Sequence, residues 1–379
     1  MVLAPGDHPA GCQIRRGGAP GAPVVVRAAD LSARPRLIYD GTSANVLDIR
    51  ADHVIVRGLR FGPSQPDVDG LRIYASQDVT VEDCEFSEIG GIPLVANHVS
   101  LRGLLVRRNA FVDSRSTAMY FGCHDGVECE VTDAVVERNY VRRTGVGPDG
   151  VAFGLQIKLN SAAVVRDNVI AQPRGPGIMV YGARDPRRTS LVERNVVHGS
   201  AQSAGIVIGG GPVVVRNNVS TGNADGGIAV EDYGRRDLLR RIAVVHNTLY
   251  GNSGGGIRLR GGAPQDVIIA NNAIQAKGGL IRWGLTGWGA GGAWPQPRPG
   301  VAVAGNVDCS TGSPCFAHPE VRNFSPTRVL AGAGVSFAII DMPADDLLGV
   351  RRGSPATVGA LERAAEPVPD GFSGPRAGQ

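Results

Sequence analysis

The sequence predicts an all-β chain, a single parallel β-helical solenoid of about ten coils, and three observations predict it. The first is a recurring frame of two apolar residues, two variable residues, an asparagine, one further residue and another apolar residue, as in VVERNYV, VVRDNVI, LVERNVV and VVVRNNV. Its asparagines are Asn109, Asn139, Asn168, Asn195, Asn218, Asn247 and Asn272, at intervals of 30, 29, 27, 23, 29 and 25 residues. The second is a short Gly-apolar-x-apolar stretch in each repeat: GLRI from Gly70, GIPL from Gly91, GLQI from Gly154, GIMV from Gly177, GIVI from Gly205, GIAV from Gly227 and GIRL from Gly256. The third is that no apolar run keeps helical spacing over the length of a globular helix.

Each element follows from its residues. Alternating Val, Ile and Leu bounded by Gly, Asn, Asp and Ser reads as strand and turn. Cys84 and Leu59 continue the asparagine column upstream, each 25 residues from the next member. Asparagine suits that turn because it tolerates left-handed backbone angles and its amide can bond to the amide stacked in the next coil. A chain of 379 residues with 54 glycines, nine Phe and three Trp fits many turns around a thin aliphatic core. A solenoid of this length needs no domain boundary, because it grows by adding coils. Ten coils at about 4.8 Å each give a rod of roughly 50 Å with a long lateral groove suited to a polymer.

On these repeats, VVERNYV and its copies together with the Gly-apolar-x-apolar strands, the chain resembles right-handed parallel β-helix proteins of the pectate-lyase-like superfamily. The resemblance spans residues 24–279 and implies a right-handed winding. It is less specific for activity, since that superfamily holds polysaccharide lyases, uronate epimerases, glycoside hydrolases, tailspikes and adhesins. The β-helix is accordingly expected over residues 1–279. Residues 280–362 follow as a Trp/Gly-rich segment, with Trp283, Trp288 and Trp294, and a closing segment, DDLLGVRRGSPATVGALE, that covers the last coil. Residues 363–379, rich in Pro and Gly, read as a disordered tail.

The net charge of +4 is small and evenly mixed, which argues against nucleic acid or a membrane surface as partner and leaves an acidic sugar chain compatible. No stretch reaches the apolar length of a membrane span. The N-terminus MVLAPGDHPAG lacks a charged region followed by an apolar one. In β-helix proteins that resemble this chain a phrase like VLAPG follows shortly after the mature start, and that resemblance implies that Met1 is a truncation or an early start. The pairs Cys123 with Cys129 and Cys309 with Cys315 are spaced for small disulfide loops, which favour secretion or the periplasm. Cys84 sits on the asparagine column as a buried small residue, leaving Cys12 without a partner. Cys123, His124 and Cys129 lack a convincing fourth ligand for zinc.

Function falls to the outward positions of the Gly-apolar-x-apolar-x strands. Polar chemistry concentrates at Tyr120, Gln156, Lys158 and Tyr181, expected on three adjacent coils about 5 Å apart. Of the 39 basic residues only Lys158 and Lys277 are lysines, and lysine, unlike arginine, can give up its proton. Lys158 is therefore the expected general base, against the plainer reading of a surface lysine over a carboxylate. The loop FGCHDGVEC adds His124, an acid or base near neutrality, and Asp125. Arg184 follows Tyr181 as a carboxylate clamp, and Glu231 and Tyr233 are expected to line the substrate site with Tyr120, Gln156 and Asp125. Arg108, Arg138 and Arg194 beside the column are candidates to bind an anionic glycan, but Glu137 and Glu193 precede two of them and read as partners in ordinary cross-coil ion pairs.

These parts compose a lyase acting on a uronic-acid polysaccharide by β-elimination. Arg184 or a bound Ca2+ neutralises the carboxylate, Lys158 removes the neighbouring proton, and Tyr181 or Tyr120 protonates the leaving oxygen with His124 in reserve. Calcium would draw on Asp125, Glu128, Glu130, Glu231 and Asp232. The same constellation serves a uronate epimerase. A glycoside hydrolase would need opposed carboxylates, drawn from Asp125, Asp149, Glu231 and Asp232. A non-catalytic glycan-binding or structural rod is the reading from another class, and a Lys158 covered on a flat face would weigh toward it.

Overall fold

The computed structural model describes residues 1–39, 41–147, 152–284, 298–336 and 342–363. The chain is an all-β right-handed parallel β-helix, and it divides into two compact units. The first holds Met1–Val164 and Asn168–Gly175; the second holds Val165–Asp167 and the chain from Pro176. The described residues contain no α-helix, only a short 3-10 turn at Pro319–Val321. No helix among them is long and apolar enough to cross a membrane.

In the first unit six complete coils each place one strand in each of three parallel sheets. The first sheet stacks Val24–Ala28, Val54–Arg57, Gln77–Glu82, Leu101–Arg107 and Ala134–Glu137. Their register builds a column of one valine per coil, Val26, Val56, Val81, Val106 and Val136, all buried. In the second sheet Phe61, Phe86 and Phe111 stack nearly parallel, with ring centroids 4.4 and 4.9 Å apart. Burying each such ring is worth about 2–3 kcal/mol. The third sheet, which carries the candidate site, stacks Asn45–Ile49, Asp69–Ile73, Leu94–Ala96, Met119–Phe121 and Leu155–Ile157.

The asparagine column marks the turn from first to second sheet. Asn139 donates its backbone N–H and its Nδ2 to Asn168 Oδ1, at 2.9 and 3.0 Å, while Nδ2 also donates to Val106 O at 3.0 Å. Its own Oδ1 accepts from Asn109 N and Nδ2, and Asn109 Oδ1 accepts from Cys84 N. The stacked-amide expectation therefore holds, whereas the left-handed expectation moves by one residue. The positive φ falls on the residue before each column member: Gly58, Asp83, Arg108 and Arg138. A non-glycine residue there costs about 1–2 kcal/mol, and the buried amide ladder offsets that cost. Burial pushes the Cys84 thiol up to about 12, in keeping with an inert packed sulfur.

The second unit repeats the scheme. Its ladder runs Asn195, Asn218, Asn247, Asn272 and on to Asn306, which accepts from Asn272 N at 3.0 Å. A parallel ladder links Ser200, Asn223 and Asn252. Strand pairing also continues past residue 279, through Ile281–Gly284, Val301–Ala304 and Val307–Asp308. A small antiparallel pair, Phe316–His318 with Asn323–Pro326, follows. The closing segment lies along the turn column, where a cover over the last coil was expected: Asp345 O, Thr357 O and Gly359 N meet Asn217, His246 and Asn271 on three successive coils. Arg194 bridges to Asp167 at 2.8 Å and Arg216 to Glu193 at 2.9 Å, the cross-coil pairing expected beside the ladder; in the first unit Arg108 pairs likewise with Asp83 and Glu82. Trp288, Trp294, Asp149 and the tail from residue 364 lie outside the described residues.

Candidate functional site

The third-sheet strands of the first unit set Gln13, Asp48, Arg72, Val95, Tyr120 and Gln156 in register on their outward side. Lys158 follows its strand by one residue, and its N–H donates to Phe121 O at 2.9 Å, so the parallel ladder fixes its backbone against the coil of Tyr120. Leu155 and Ile157 point into the core as the alternation requires.

Lys158 Nζ lies 3.4 Å from His124 Nδ1 and donates to Gln156 Oε1 at 3.4 Å, with the Tyr120 ring centroid 4.9 Å away. A hydrogen bond between two nitrogens needs one lone pair, so either nitrogen of this contact can be the donor, according to the His124 tautomer. Outward did not mean exposed: Lys158 is 1 % and Gln156 5 % accessible. Alternation assigns a side chain to a face; it does not say what neighbouring coils lay over it. His124 itself is exposed and Tyr120 partly so, which makes the imidazole a link from solvent to the buried amine.

The His124 loop is tightly held. A Cys123–Cys129 disulfide closes it, Cys123 N–H donates to Cys129 O at 3.1 Å, and Asn160 Nδ2 donates to Gly126 O at 2.7 Å. Gly126 has φ +67°, and a Cβ there would sit 2.3 Å from Leu159 O. Asp125 serves this turn: its Oδ1 accepts from Val127 N–H at 2.9 Å, and that bond holds its carboxyl below the usual range. The second disulfide, Cys309–Cys315, also forms, and Cys12 and Cys84 are free thiols.

Tyr181, Arg184, Glu231 and Tyr233 belong to the second unit. Tyr181 is buried and packs edge-on against Tyr233, with centroids 4.9 Å apart, above Gly209. Arg184 is exposed at the head of a turn in which Asp185 binds Arg187; that guanidinium lowers the Asp185 carboxyl to about 2. Glu231 pairs with Arg260 at 2.5 Å, both side chains 6 % exposed, and Glu231 Oε1 has no hydrogen-bond partner in the described structure. Among the described residues no group of three or more His, Cys, Asp or Glu side chains could hold a metal ion. Calcium therefore finds no assembled donor set there, and no step below passes through it.

Sequence reasoning passed over Arg50 and His98. Arg50 lies over the Tyr74 ring at 4.0 Å, and the Tyr74 ring meets His98 edge-on at 5.2 Å. The available signal was position: Arg50 follows its third-sheet strand by one residue, as Lys158 does.

Residues 125–287 match the family described as "Right handed beta helix region". Among solved structures, the A-module of a mannuronan C-5 epimerase from Azotobacter vinelandii superposes with TM-score 0.57 at 14% identity, over 79% of this chain and 85% of that one. A PL6 family polysaccharide lyase from Pseudopedobacter saltans gives 0.56 at 12% identity, over 95% and 94%. A mannuronic acid specific polysaccharide family 6 lyase from human gut microbiota gives 0.51 at 16%, over 81% and 85%. No curated protein sequence matches the chain. At these identities the likeness establishes the fold, a pectate-lyase-like β-helix shared with polysaccharide lyases and epimerases.

Proposed function

We propose that the face around Lys158 cleaves a uronic-acid-containing polysaccharide by β-elimination. The observation that carries this reading is the Lys158 amine set between His124, Gln156 and the Tyr120 ring. The amine is covered, which weighs toward the non-catalytic rod, so the scheme requires the exposed His124 to swing aside before a sugar carbon reaches Nζ. Neutral Nζ takes the proton from the carbon bearing the carboxylate. The electron pair forms a double bond to the next carbon as the glycosidic carbon–oxygen bond there breaks. The Tyr120 hydroxyl supplies a proton to the departing oxygen; His124 passes the proton captured by the amine to solvent, and the Tyr120 phenolate takes one back from water, which resets both groups. Gln156 uses Oε1 on Lys158, which leaves Nε2 to donate to the substrate carboxylate as charge builds on it. Tyr181 and Arg184, in the second unit, are not needed for this scheme.

The fold relatives support the substrate class, since two of them are a polysaccharide lyase and a mannuronic acid specific lyase. The two disulfides support an oxidising compartment, outside the cell or in the periplasm. A second reading, uronate epimerisation, is favoured by the fold likeness to a mannuronan epimerase and differs only in returning the proton to the opposite face. Hydrolysis would need two opposed carboxylates across the sugar-binding face. The test is product analysis on mannuronan and pectate in deuterated water. Chains ending in an unsaturated uronate support the lyase; full-length chains carrying deuterium support the epimerase; neither product rejects both.

A further inference from the structure

We propose a non-catalytic anion subsite centred on Arg50, which holds carboxylates of the same acidic chain on coils N-terminal to Lys158; it rests on the substrate class proposed above. Arg50 takes the position in its coil that Lys158 takes in its own. The backbone ladder shows this: Arg50 N donates to Ile14 O, Tyr74 N to Ile49 O, Gly122 N to Ala96 O and Lys158 N to Phe121 O. The column thus reads Arg15, Arg50, Tyr74, Asn97, Gly122 and Lys158. Four coil steps separate Arg50 from Lys158, about 19 Å along the face.

The Arg50 guanidinium is fixed in advance. Nε and Nη2 donate to Asp48 Oδ2 at 3.2 and 2.9 Å, and the fork rests 4.0 Å above the Tyr74 ring, which His98 braces at 5.2 Å. Asp48 is buried behind it, while the Arg50 side chain is 39 % exposed and its Nη1 makes no hydrogen bond among the described residues. One coil further, the exposed Arg15 donates its Nε and Nη2 to the uncharged Gln13 amide at 2.9 and 2.7 Å, so its charge is not offset there. A planar, half-used fork held by a ring and a buried acid suits a carboxylate, which it can grip without ordering a flexible side chain. Arginine in this place supplies attraction and register but cannot act as a base.

The test measures binding without turnover. Lys158→Ala protein is titrated with mannuronan and polygalacturonate fractions graded in length, and then the same protein with Arg50→Ala or Arg102→Ala added. Arg102 is the control, 77 % exposed on the first sheet. The subsite predicts tighter binding of chains long enough to span four coils, and a roughly tenfold loss of that gain with Arg50→Ala that shrinks at high salt. Arg102→Ala should bind as its parent does. Arg50→Lys, retaining charge without the fork, should recover part of the loss, which separates a local contact from misfolding. The proposal is overturned if Arg50→Ala binds long chains as tightly as its parent, if Arg102→Ala loses as much, or if the parent binds neither polymer at any length. Binding that follows the prediction while the parent enzyme forms no unsaturated product would sink the lyase reading and leave the subsite standing.

Discussion

Replacing Asn218 by alanine removes one rung of the second unit's buried ladder, and its cost can be worked from the bonds that rung makes. Oδ1 accepts from Asn195 N and Nδ2 at 2.9 and 3.0 Å; Nδ2 donates to Val192 O, Arg216 O and Asn247 Oδ1, each at 2.9 Å. Asn218 is fully buried, so water cannot take over these partners. Asn195 Nδ2 keeps Val165 O and Glu193 O, and Asn247 Oδ1 keeps the Asn218 N–H. The group left stranded is the Asn195 N–H, at about 1–3 kcal/mol, with about 1 kcal/mol for each of two further lost bonds, so the total is roughly 4 kcal/mol. Equilibrium urea unfolding by circular dichroism measures it, and hydrogen exchange at Asn195 localises it if the coils melt separately. Arg187→Ala, at an 88 % exposed site, should leave the urea midpoint unchanged. A cost for Asn218→Ala below about 1 kcal/mol would refute the claim that the amide ladder stabilises the coils.

Three further outcomes are expected. Phe86→Ala, which empties the middle of the three-ring stack, should cost about 3–5 kcal/mol in the same unfolding assay, and a loss near zero would mean that the stack contributes nothing. His246 is buried between Thr357 O and Asn271 Nδ2, and desolvation, with repulsion from Arg352 second, lowers it to about 3. Because its folded value lies below the unfolded one, the unfolded chain binds the extra proton: the stabilisation is complete above about pH 6.5 and is lost as pH falls toward about 3. Hydrogen exchange in residues 342–363 should accelerate across that window, and His246→Gln should flatten the response; an unchanged pH profile in the variant contradicts it. Finally, the paired change Cys123→Ser with Cys129→Ser frees the His124 loop and should lower kcat by tenfold or more, while opening a ring with only five intervening residues costs about 2 kcal/mol of stability. Full activity in that variant would remove His124 from the scheme.

The sequence carried the fold because its period is written in residues that cannot be exchanged freely. The amide of Asn139 or Asn218 must both donate and accept within the stack, so the same residue type returns in each coil from Asn109 to Asn272. Asn306 belongs to that series in the phrase VAVAGNV, but 34 residues separate it from Asn272 and the Trp/Gly-rich stretch hides the frame. The left-handed turn residue was harder to place: Asp83, Arg108 and Arg138 share geometry but not chemistry, so no single residue type marks the position. At the site, composition singled out Lys158, and the Cys-x5-Cys spacing found the loop that carries His124. Burial of Lys158 was not legible, because it depends on how side chains of Tyr120 and the His124 loop close over the coil. Arg50 was overlooked for a related reason: among 37 arginines, nothing in the sequence shows that this one lies on a tyrosine ring.

The central claim, that Lys158 is the base of an eliminase, is tested most directly by the ultraviolet absorbance of the conjugated uronate formed from mannuronan or pectate, comparing the parent protein with Lys158→Ala. The account predicts a steady rise in the parent and a loss of about 100- to 10,000-fold in the variant, the range expected for removing a general base. An equal rise from Lys158→Ala, or no rise from the parent on any uronic-acid polymer, would contradict it.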